Sequence, residues 1–215
     1  MQKLIFFIFL FLISICLAIT ELDLSDRIII DGFSDDFTAD EKILSNSSGN
    51  LLESPADSYW GEYNDVKQIK VTWDESYLYL AVDACSYDNN VLLFIDIDNS
   101  YGIEDMSQLN AWKRAFKFYN FNPDFFIGTW DTNNIPQFWK VQEGGSMQVE
   151  EILTKTETDS LAYASFDTGN LNRSMEIKIP WEILNSENHS IEKIKLLSVI
   201  TSGDDYTSGP DCAPD

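Results

Sequence analysis

Three short segments decide the fold of this chain: VTWDESYLYLAV at residues 71–82, LLFIDID at 92–98 and MEIKIPW at 175–181. Each is rich in branched and aromatic residues, which favour strands. Within the first, residues 77–82 alternate between two sets of side chains, which places the two sets on opposite faces of a strand. Residues 91–97 are apolar at almost every position. That run predicts a central strand buried on both faces.

Further strand-like stretches follow one another with short turns between them, and no long helix is predicted. The predicted strands are residues 28–30, 67–73, 77–82, 91–97, 124–130, 138–142, 161–166, 175–179 and 193–201. Residues 44–65 are predicted to form a loop, 111–120 fit either a helix or a strand, and 180–184 form one helical turn. This pattern predicts an all-β fold, an antiparallel β-sandwich of the jelly-roll type with at most short helical turns.

The N-terminus has the pattern of a secretory signal. Lys3 precedes an apolar run at residues 4–17, and Cys16 and Ala18 are the small residues before a cleavage point. The run is shorter than the roughly 20 residues of a spanning helix, and no later stretch is long and apolar enough to enter a membrane. Lipidation of Cys16 is the alternative. We predict a signal peptide at 1–18 and a secreted or cell-surface protein.

Residues 19–215 are predicted to form a single module. The C-terminal residues DCAPD lie in what the pattern indicates is a loop. We therefore expect this module to be the N-terminal part of a longer secreted protein.

The chain is strongly acidic, with 36 Asp and Glu against 14 Lys and Arg and a net charge of −22. Nucleic acid and anionic lipid are poor partners, because phosphate binding needs clustered Lys and Arg. One interpretation of the acidity is a solvated surface that keeps the protein soluble. The other is that some of the carboxylates converge on calcium.

Residues 96–102, DIDNSYG, carry carboxylates at alternate positions and then an amide. Calcium takes 6–8 oxygen ligands, and alternating acids at a strand end can turn several oxygens into one space. The predicted calcium ligands are Asp96, Asp98, Asn99 and Asp105. The alternative is a charged turn capped by Asx hydrogen bonds.

The residues of common active sites are missing from this sequence. The one histidine, His189, lies in a polar stretch, so zinc clusters and a serine triad lack their components. There is no glycine-rich phosphate loop, and nothing singles out a pair of carboxylates for glycoside hydrolysis. We predict no catalytic residues and a protein that is not an enzyme.

Aromatic rings are the candidate binding groups of this chain. Sugars present C–H faces that pack on such rings. Trp60 lies in a polar loop and is predicted to be exposed, while Trp130 and Trp139 flank one turn and are rim or core. Trp73 and Trp181 fall within strand patterns and are predicted to be core. Trp60 and Trp130 are therefore candidate carbohydrate-binding residues.

Two cysteines, Cys85 and Cys212, would remain in the exported chain. They can pair in a disulfide, since nothing else competes for either one. Two buried thiols are the alternative.

The chain resembles the extracellular sandwich superfamily that holds family-nine carbohydrate-binding modules and DOMON domains. The matching stretches are Ile30-Asp31-Gly32 with Asp35-Asp36, residues 71–82, Phe94-Ile95-Asp96, and residues 114–118 and 177–181. Their order and spacing carry the resemblance, which covers residues 28–205. It implies that residues 114–118 form a strand. Haem, which DOMON domains bind through Met and His, is not expected with one loop histidine.

The resemblance also implies a sugar site. In the sugar-binding members two tryptophans clamp a terminal sugar, and Tyr87 and Tyr206 stand at those places here. Tyrosine offers less stacking area than tryptophan, so the implied binding is weak. The same fold would bring Cys85 and Cys212 to one end of the sandwich, which implies a disulfide between them.

We therefore predict a secreted, non-catalytic module that binds a polysaccharide or another glycan, with structural calcium as its cofactor. The competing hypothesis is a structural or adhesion module of a larger extracellular protein with no small-molecule ligand. Exposed aromatic rings beside a cleft favour the first, and a smooth acidic surface favours the second.

Overall fold

The computed structural model describes residues 23–42, 54, 57–97, 102–129, 136–142, 148–153, 161–162, 173–184, 191, 193–209 and 211–214. The predicted signal peptide at 1–18 and the candidate site residues Asp98, Asn99 and Trp130 lie outside these ranges.

Two antiparallel sheets pack face to face, which confirms the predicted all-β sandwich. The strands are β1 Asn64–Trp73, β2 Tyr77–Ser86, β3 Asn90–Asp96, β4 Phe125–Gly128, β5 Gln137–Val141, β6 Val149–Leu153, β7 Leu161–Ala162, β8 Arg173–Pro180, β9 Lys195–Thr201 and β10 Asp211–Ala213. One sheet has the order β1-β2-β8-β7 and the other β10-β9-β3-β4-β5-β6. The helices found in the described ranges are α1, Trp181–Leu184, and the 3-10 turns Ser34–Asp36 and Met106–Gln108.

The first hairpin follows the sequence prediction. Asp74 holds the turn, since its Oδ1 accepts the backbone N–H groups of Ser76 and Tyr77 at 2.8 Å each. Beyond the turn β2 alternates as expected. Its even-numbered residues from Leu78 to Ala84 enter the core between the sheets, while Tyr79 and Ala81 pack under the N-terminal segment that contains Leu24, Ile28 and Phe37.

Strand β3 is the centre of the molecule, as its apolar run predicts. It lies between β9 and β4, and all seven of its residues are buried. Val91, Leu93 and Ile95 face the core between the sheets. Leu92 and Phe94 face the other way, into a second core on the outer side of the six-stranded sheet.

Residues 102–121 cover that outer side, and we call them the covering segment. The expectation of a strand at 114–118 is wrong, because the backbone hydrogen bonds of these residues go to two different neighbours. Phe118 N–H donates to Glu104 O at 3.0 Å, and Ala115 N–H donates to Thr207 O at 2.7 Å. The segment is held instead by its rings, with Phe118 packed edge-on against Phe94 at 4.9 Å between centroids.

Several local expectations differ from the structure. Residues 28–30 form no strand; Ile28 is buried with Leu24 and Phe37 against β2, while Ile29 is exposed. Strands β6 and β10 are not predicted. Trp73 is 64 % exposed rather than core, because it is the last residue of the edge strand β1. Trp181 is half-buried against the core, and its Nε1 donates to Asp74 O at 2.8 Å.

The predicted disulfide is not formed, and Cys85 and Cys212 are both thiols. Ala84 and Ala213 point into the core between the sheets. Because side chains alternate along a strand, their neighbours Cys85 and Cys212 point to the outer sides of opposite sheets. The sandwich therefore separates the two sulfur atoms even though both strands reach the same end of it.

A buried carboxyl group anchors the N-terminal segment to the four-stranded sheet. Glu176 of β8 is fully buried, and its Oε2 accepts the N–H groups of Asp31 and Gly32 at 3.0 and 2.7 Å. Its Oε1 has no hydrogen-bond partner in the part of the chain that the structure describes. Burial raises the pKa of Glu176 to about 8, against the opposing effect of the two N–H groups.

We expect Glu176→Gln to reduce the loss of stability at high pH. The carboxyl pKa is higher in the folded chain than in the unfolded chain, so the folded state holds an extra proton between these pKa values. The free energy of unfolding therefore falls as the pH rises from about 5 to 8. Glutamine keeps an acceptor for the two N–H groups and does not titrate. At pH 9 the variant should be more stable than the parent by on the order of a few kcal/mol.

Urea unfolding at pH 5 and pH 9 measures this difference. Glu182→Gln, at an exposed residue of α1, is the matched control and should leave the pH profile unchanged. A Glu176→Gln profile parallel to that of the parent would show that Glu176 does not hold the extra proton.

Candidate functional site

One end of the sandwich gathers most of its exposed rings. The strand pairs Asn64↔Ser86, Asn90↔Thr201 and Ile200↔Asp211 all lie at this end. The turns at 57–63, 87–89 and 202–209 therefore meet here, and we call it the aromatic end. The β4–β5 connection also leaves from it, because Gly128 pairs with Leu92 near the start of β3.

Five of the eight large apolar side chains that are exposed among the described residues belong to these turns. They are Tyr59, Trp60, Tyr63, Tyr87 and Tyr206, with exposed fractions of 41–89 %. The other three are Ile29, Trp73 and Tyr119, which lie elsewhere. Rings that stay in water next to polar turns are available to a ligand, whereas rings within strands serve packing.

Hydrogen bonds between turns hold the backbones of Tyr63 and Tyr87 next to each other. The backbone N–H of Tyr87 donates to Tyr63 O at 2.9 Å and to Asn64 Oδ1 at 3.1 Å. Asn89 Nδ2 donates to the same Asn64 oxygen at 2.8 Å. The first turn of the aromatic end is thereby tied to the β2–β3 turn, so the two tyrosines belong to one rigid surface.

Tyr206 is held in an uncommon backbone conformation. Its φ of +62° lies in the left-handed region, which aromatic residues rarely occupy. Its N–H donates to Lys113 O at 3.1 Å, and the Lys113 ammonium lies 5.6 Å from the ring centroid. The covering segment therefore presses against this loop and holds the ring outward. Backbone strain of this kind concentrates at functional sites.

A buried cation lies beneath the same loop. Arg114 is fully buried, stacks over Trp112 at 5.4 Å, and donates from Nε to Thr201 Oγ1 at 3.0 Å. Its nearest acid is the exposed Asp205, with 3.8 Å between Nη1 and Oδ1. Burial lowers the pKa of Arg114, and the Asp205 carboxylate opposes that shift. Its Nη2 has no hydrogen-bond partner among the residues described.

Asn90 is a second buried polar residue at the Thr201 end of β9. It is fully buried at the start of β3, opposite Thr201, and its Nδ2 donates to Ser202 O at 3.2 Å. Its Oδ1 finds no partner in the described ranges. Protein interiors rarely leave such groups unsatisfied. An unpaired donor on Arg114 and an unpaired acceptor on Asn90 suit a hydroxyl group, which accepts one hydrogen bond and donates another.

Three of the four predicted carbohydrate-binding residues therefore fall at one place. Tyr87, Tyr206 and Trp60 lie on turns of the aromatic end. Trp130 lies outside the described residues and follows Thr129, whose N–H donates to Val91 O at 3.1 Å near the same end. Sequence reasoning missed Tyr59 and Tyr63, although their position in the same polar loop as Trp60 was a usable signal. It also missed Arg114 and Asn90, whose significance depends on burial.

The two predicted calcium ligands that the structure describes, Asp96 and Asp105, are each paired with a lysine. Asp96 ends β3 at the opposite end, where it accepts from Lys195 Nζ at 2.7 Å. Asp105 lies in the covering segment and pairs with Lys117 at 3.1 Å. Asp98 and Asn99 lie outside the described residues. Both described carboxylates thus already have a cation of the protein as partner, and calcium binding stays a prediction.

The structure brings together a different set of acids. Carboxylate oxygens of Asp57, Asp65 and Asp211 lie within 4.8 Å of one another. Asp211 also accepts the Val66 N–H at 2.6 Å. Burial raises the pKa of Asp211 to about 6, and the neighbouring carboxylates of Asp65 and Asp57 add to that shift. Sequence spacing could not reveal this group, since Asp211 is far along the chain from Asp57 and Asp65.

Comparison with models of protein families and with curated proteins finds no match for this sequence. The resemblance to family-nine modules and DOMON domains therefore depends on the quoted residues alone. None of the helices in the described ranges has the length and apolar character needed to cross a membrane.

We expect Asp96→Asn to lower the free energy of unfolding by about 1–2 kcal/mol in the presence of a chelator. The side chain is buried and is paired with Lys195, which is itself only one-third exposed, so removing the charge leaves the ammonium without its partner. Urea unfolding in EDTA measures the loss.

Lys117→Met provides the comparison, because its pair with Asp105 is largely exposed on the lysine side. Such pairs contribute roughly 0–1 kcal/mol. A different result would contradict this. If Asp96→Asn is as stable as the parent in EDTA and less stable than the parent only in calcium, then Asp96 acts as a metal ligand and its ion pair with Lys195 does not stabilise the fold.

Proposed function

We propose that this protein is a secreted, non-catalytic module that binds a glycan at its aromatic end. The observation that carries the proposal is the concentration of exposed rings there: Tyr59, Trp60, Tyr63, Tyr87 and Tyr206 share one end of the sandwich. Apolar ring faces take up the C–H faces of a sugar. Polar groups beside them pair with its hydroxyls.

Two features beneath the rings support the same ligand class. Arg114 Nη2 and Asn90 Oδ1 are buried polar atoms without partners in the described chain. Both residues contact the strand end that leads into the Tyr206 loop, through Thr201 and Ser202. A hydroxyl-rich ligand that reached them would satisfy both groups, which is the usual way in which a polar site gains specificity.

The location of the rings limits how a glycan would bind. They lie at an end of the sandwich rather than along the exposed face of a sheet. An end site contacts a few sugar units. We therefore expect short oligosaccharides to bind as well as long chains, with a dissociation constant on the order of a millimolar, equivalent to about −4 kcal/mol.

Tyr87→Ala and Tyr206→Ala should each weaken glycan binding by roughly 3–10-fold, because each removes one stacking ring worth about 1 kcal/mol. The midpoint of thermal unfolding should change little, since both side chains are more than half exposed. Titration calorimetry with β-glucan, xylan and α-glucan oligomers gives the affinities. Sugar-observed NMR covers the weakest ligands.

Trp73→Ala and Tyr119→Ala are the matched controls. Both side chains are highly exposed, at 64 and 88 %, and neither belongs to the aromatic end. They should leave glycan affinity unchanged. If folded protein binds none of the oligomers, or if the control variants weaken binding as much as Tyr87→Ala does, the proposal fails and a structural or adhesion module becomes the better account.

A further inference from the structure

A concave surface lies on the outer side of the six-stranded sheet. It is a groove of about 400 Å³ between the covering segment and the strands β9 and β10. Phe116 and Phe118 form one wall, and Leu197 and Val199 of β9 lie in its floor. This size lies within the range of natural ligand pockets. None of the five exposed rings of the aromatic end lines the groove, although Asp57, Ser208 and Gly209, which belong to turns of that end, border it.

Carboxylates line one part of this largely apolar groove. Asp57 is exposed there and Asp211 is nearly buried beside it. Asp65, fully enclosed by the protein, has a carboxylate oxygen within 4.8 Å of both. One part of the groove is therefore apolar, and the other part carries carboxylates.

Asp57 and Asp211 are the two carboxylates that line the groove itself. Within the described ranges neither Asp57 nor Asp211 forms an ion pair with a lysine or an arginine. Lys117 also borders the groove, but its ammonium pairs with Asp105 at 3.1 Å. A ligand with complementary charge would therefore be a cation that is not part of this chain.

We propose that this groove binds an arginine side chain of a partner polypeptide. A guanidinium group is planar, stacks on aromatic rings and matches carboxylate oxygens with two parallel hydrogen bonds. The Phe116 and Phe118 rings and the two groove carboxylates supply those contacts. A bare metal ion would bind the carboxylates but make no contact with the apolar floor. A neutral apolar group would leave the carboxylates unpaired.

The groove contains its own reporter of occupancy. Cys212 borders it and is half-buried, whereas Cys85 is 1 % exposed on the other sheet. A reagent such as iodoacetamide should therefore modify Cys212 in the folded protein, and peptide mass mapping identifies the site of modification. A side chain seated in the groove covers the sulfur atom and slows its modification.

The test uses Ac-Gly-Arg-Gly-NH2 and its neutral isostere, in which citrulline replaces arginine. The arginine peptide should slow modification of Cys212 by at least about threefold at saturation, and the citrulline peptide should not. Asp57→Asn should raise the half-protecting concentration at least about fivefold, and added salt should raise it as well. Asp35→Asn removes the same charge at an exposed residue beside the other sheet, and should change nothing.

Three results would overturn the proposal. Equal protection by both peptides would assign the groove to an apolar ligand. Protection by calcium alone, without peptide, would assign the carboxylates to a metal. No protection by the arginine peptide, in protein whose Cys212 does react, would remove the groove as an arginine site. None of these results bears on glycan binding, because the reporter is Cys212 rather than a ring of the aromatic end.

Discussion

Burial of β3 on both faces is the constraint on which the rest of the structure depends. One face packs against the four-stranded sheet through Val91, Leu93 and Ile95. The other face needs a second cover, because Leu92 and Phe94 would otherwise meet water. The covering segment supplies it, and the same segment holds the Tyr206 loop through the backbone of Lys113 and Ala115. The segment that buries the outer face of β3 therefore also positions Tyr206, one ring of the candidate site.

Local sequence patterns were sufficient for the strands that carry the core. The apolar run at 91–97 and the alternation at 77–82 predicted β3 and the two faces of β2. The covering segment was harder, because Phe116 and Phe118 alternate as in a strand while their backbone groups bond to Met106 and Glu104. The backbone of Ala115, between them, bonds to Thr207. Such partners lie close only after folding. The cysteine pairing failed for a different reason, since Cys85 and Cys212 reach the same end of the sandwich but face opposite sides of it.

Some residues of the candidate site could be predicted from the sequence and others could not. Tyr87, Tyr206 and Trp60 could be proposed from their polar surroundings, because an exposed ring in a turn is visible in sequence. Arg114 and Asn90 could not, because their interest lies in being buried with an atom left unpaired. At the opposite end the buried carboxylate of Asp96 is satisfied by Lys195. The physical basis for placing the ligand is the number of exposed rings, since five of the eight large apolar side chains that are exposed among the described residues lie on turns of the aromatic end.

The central claim is that a glycan occupies the aromatic end, and backbone NMR during a titration with an oligosaccharide tests it most directly. The account predicts shifts in residues 57–63, 87–90 and 202–209, together with the Nε–H signal of Arg114. Saturable shifts confined to the opposite end, around Trp73 and Asp96, would contradict it, as would an unchanged spectrum across the whole set of oligomers.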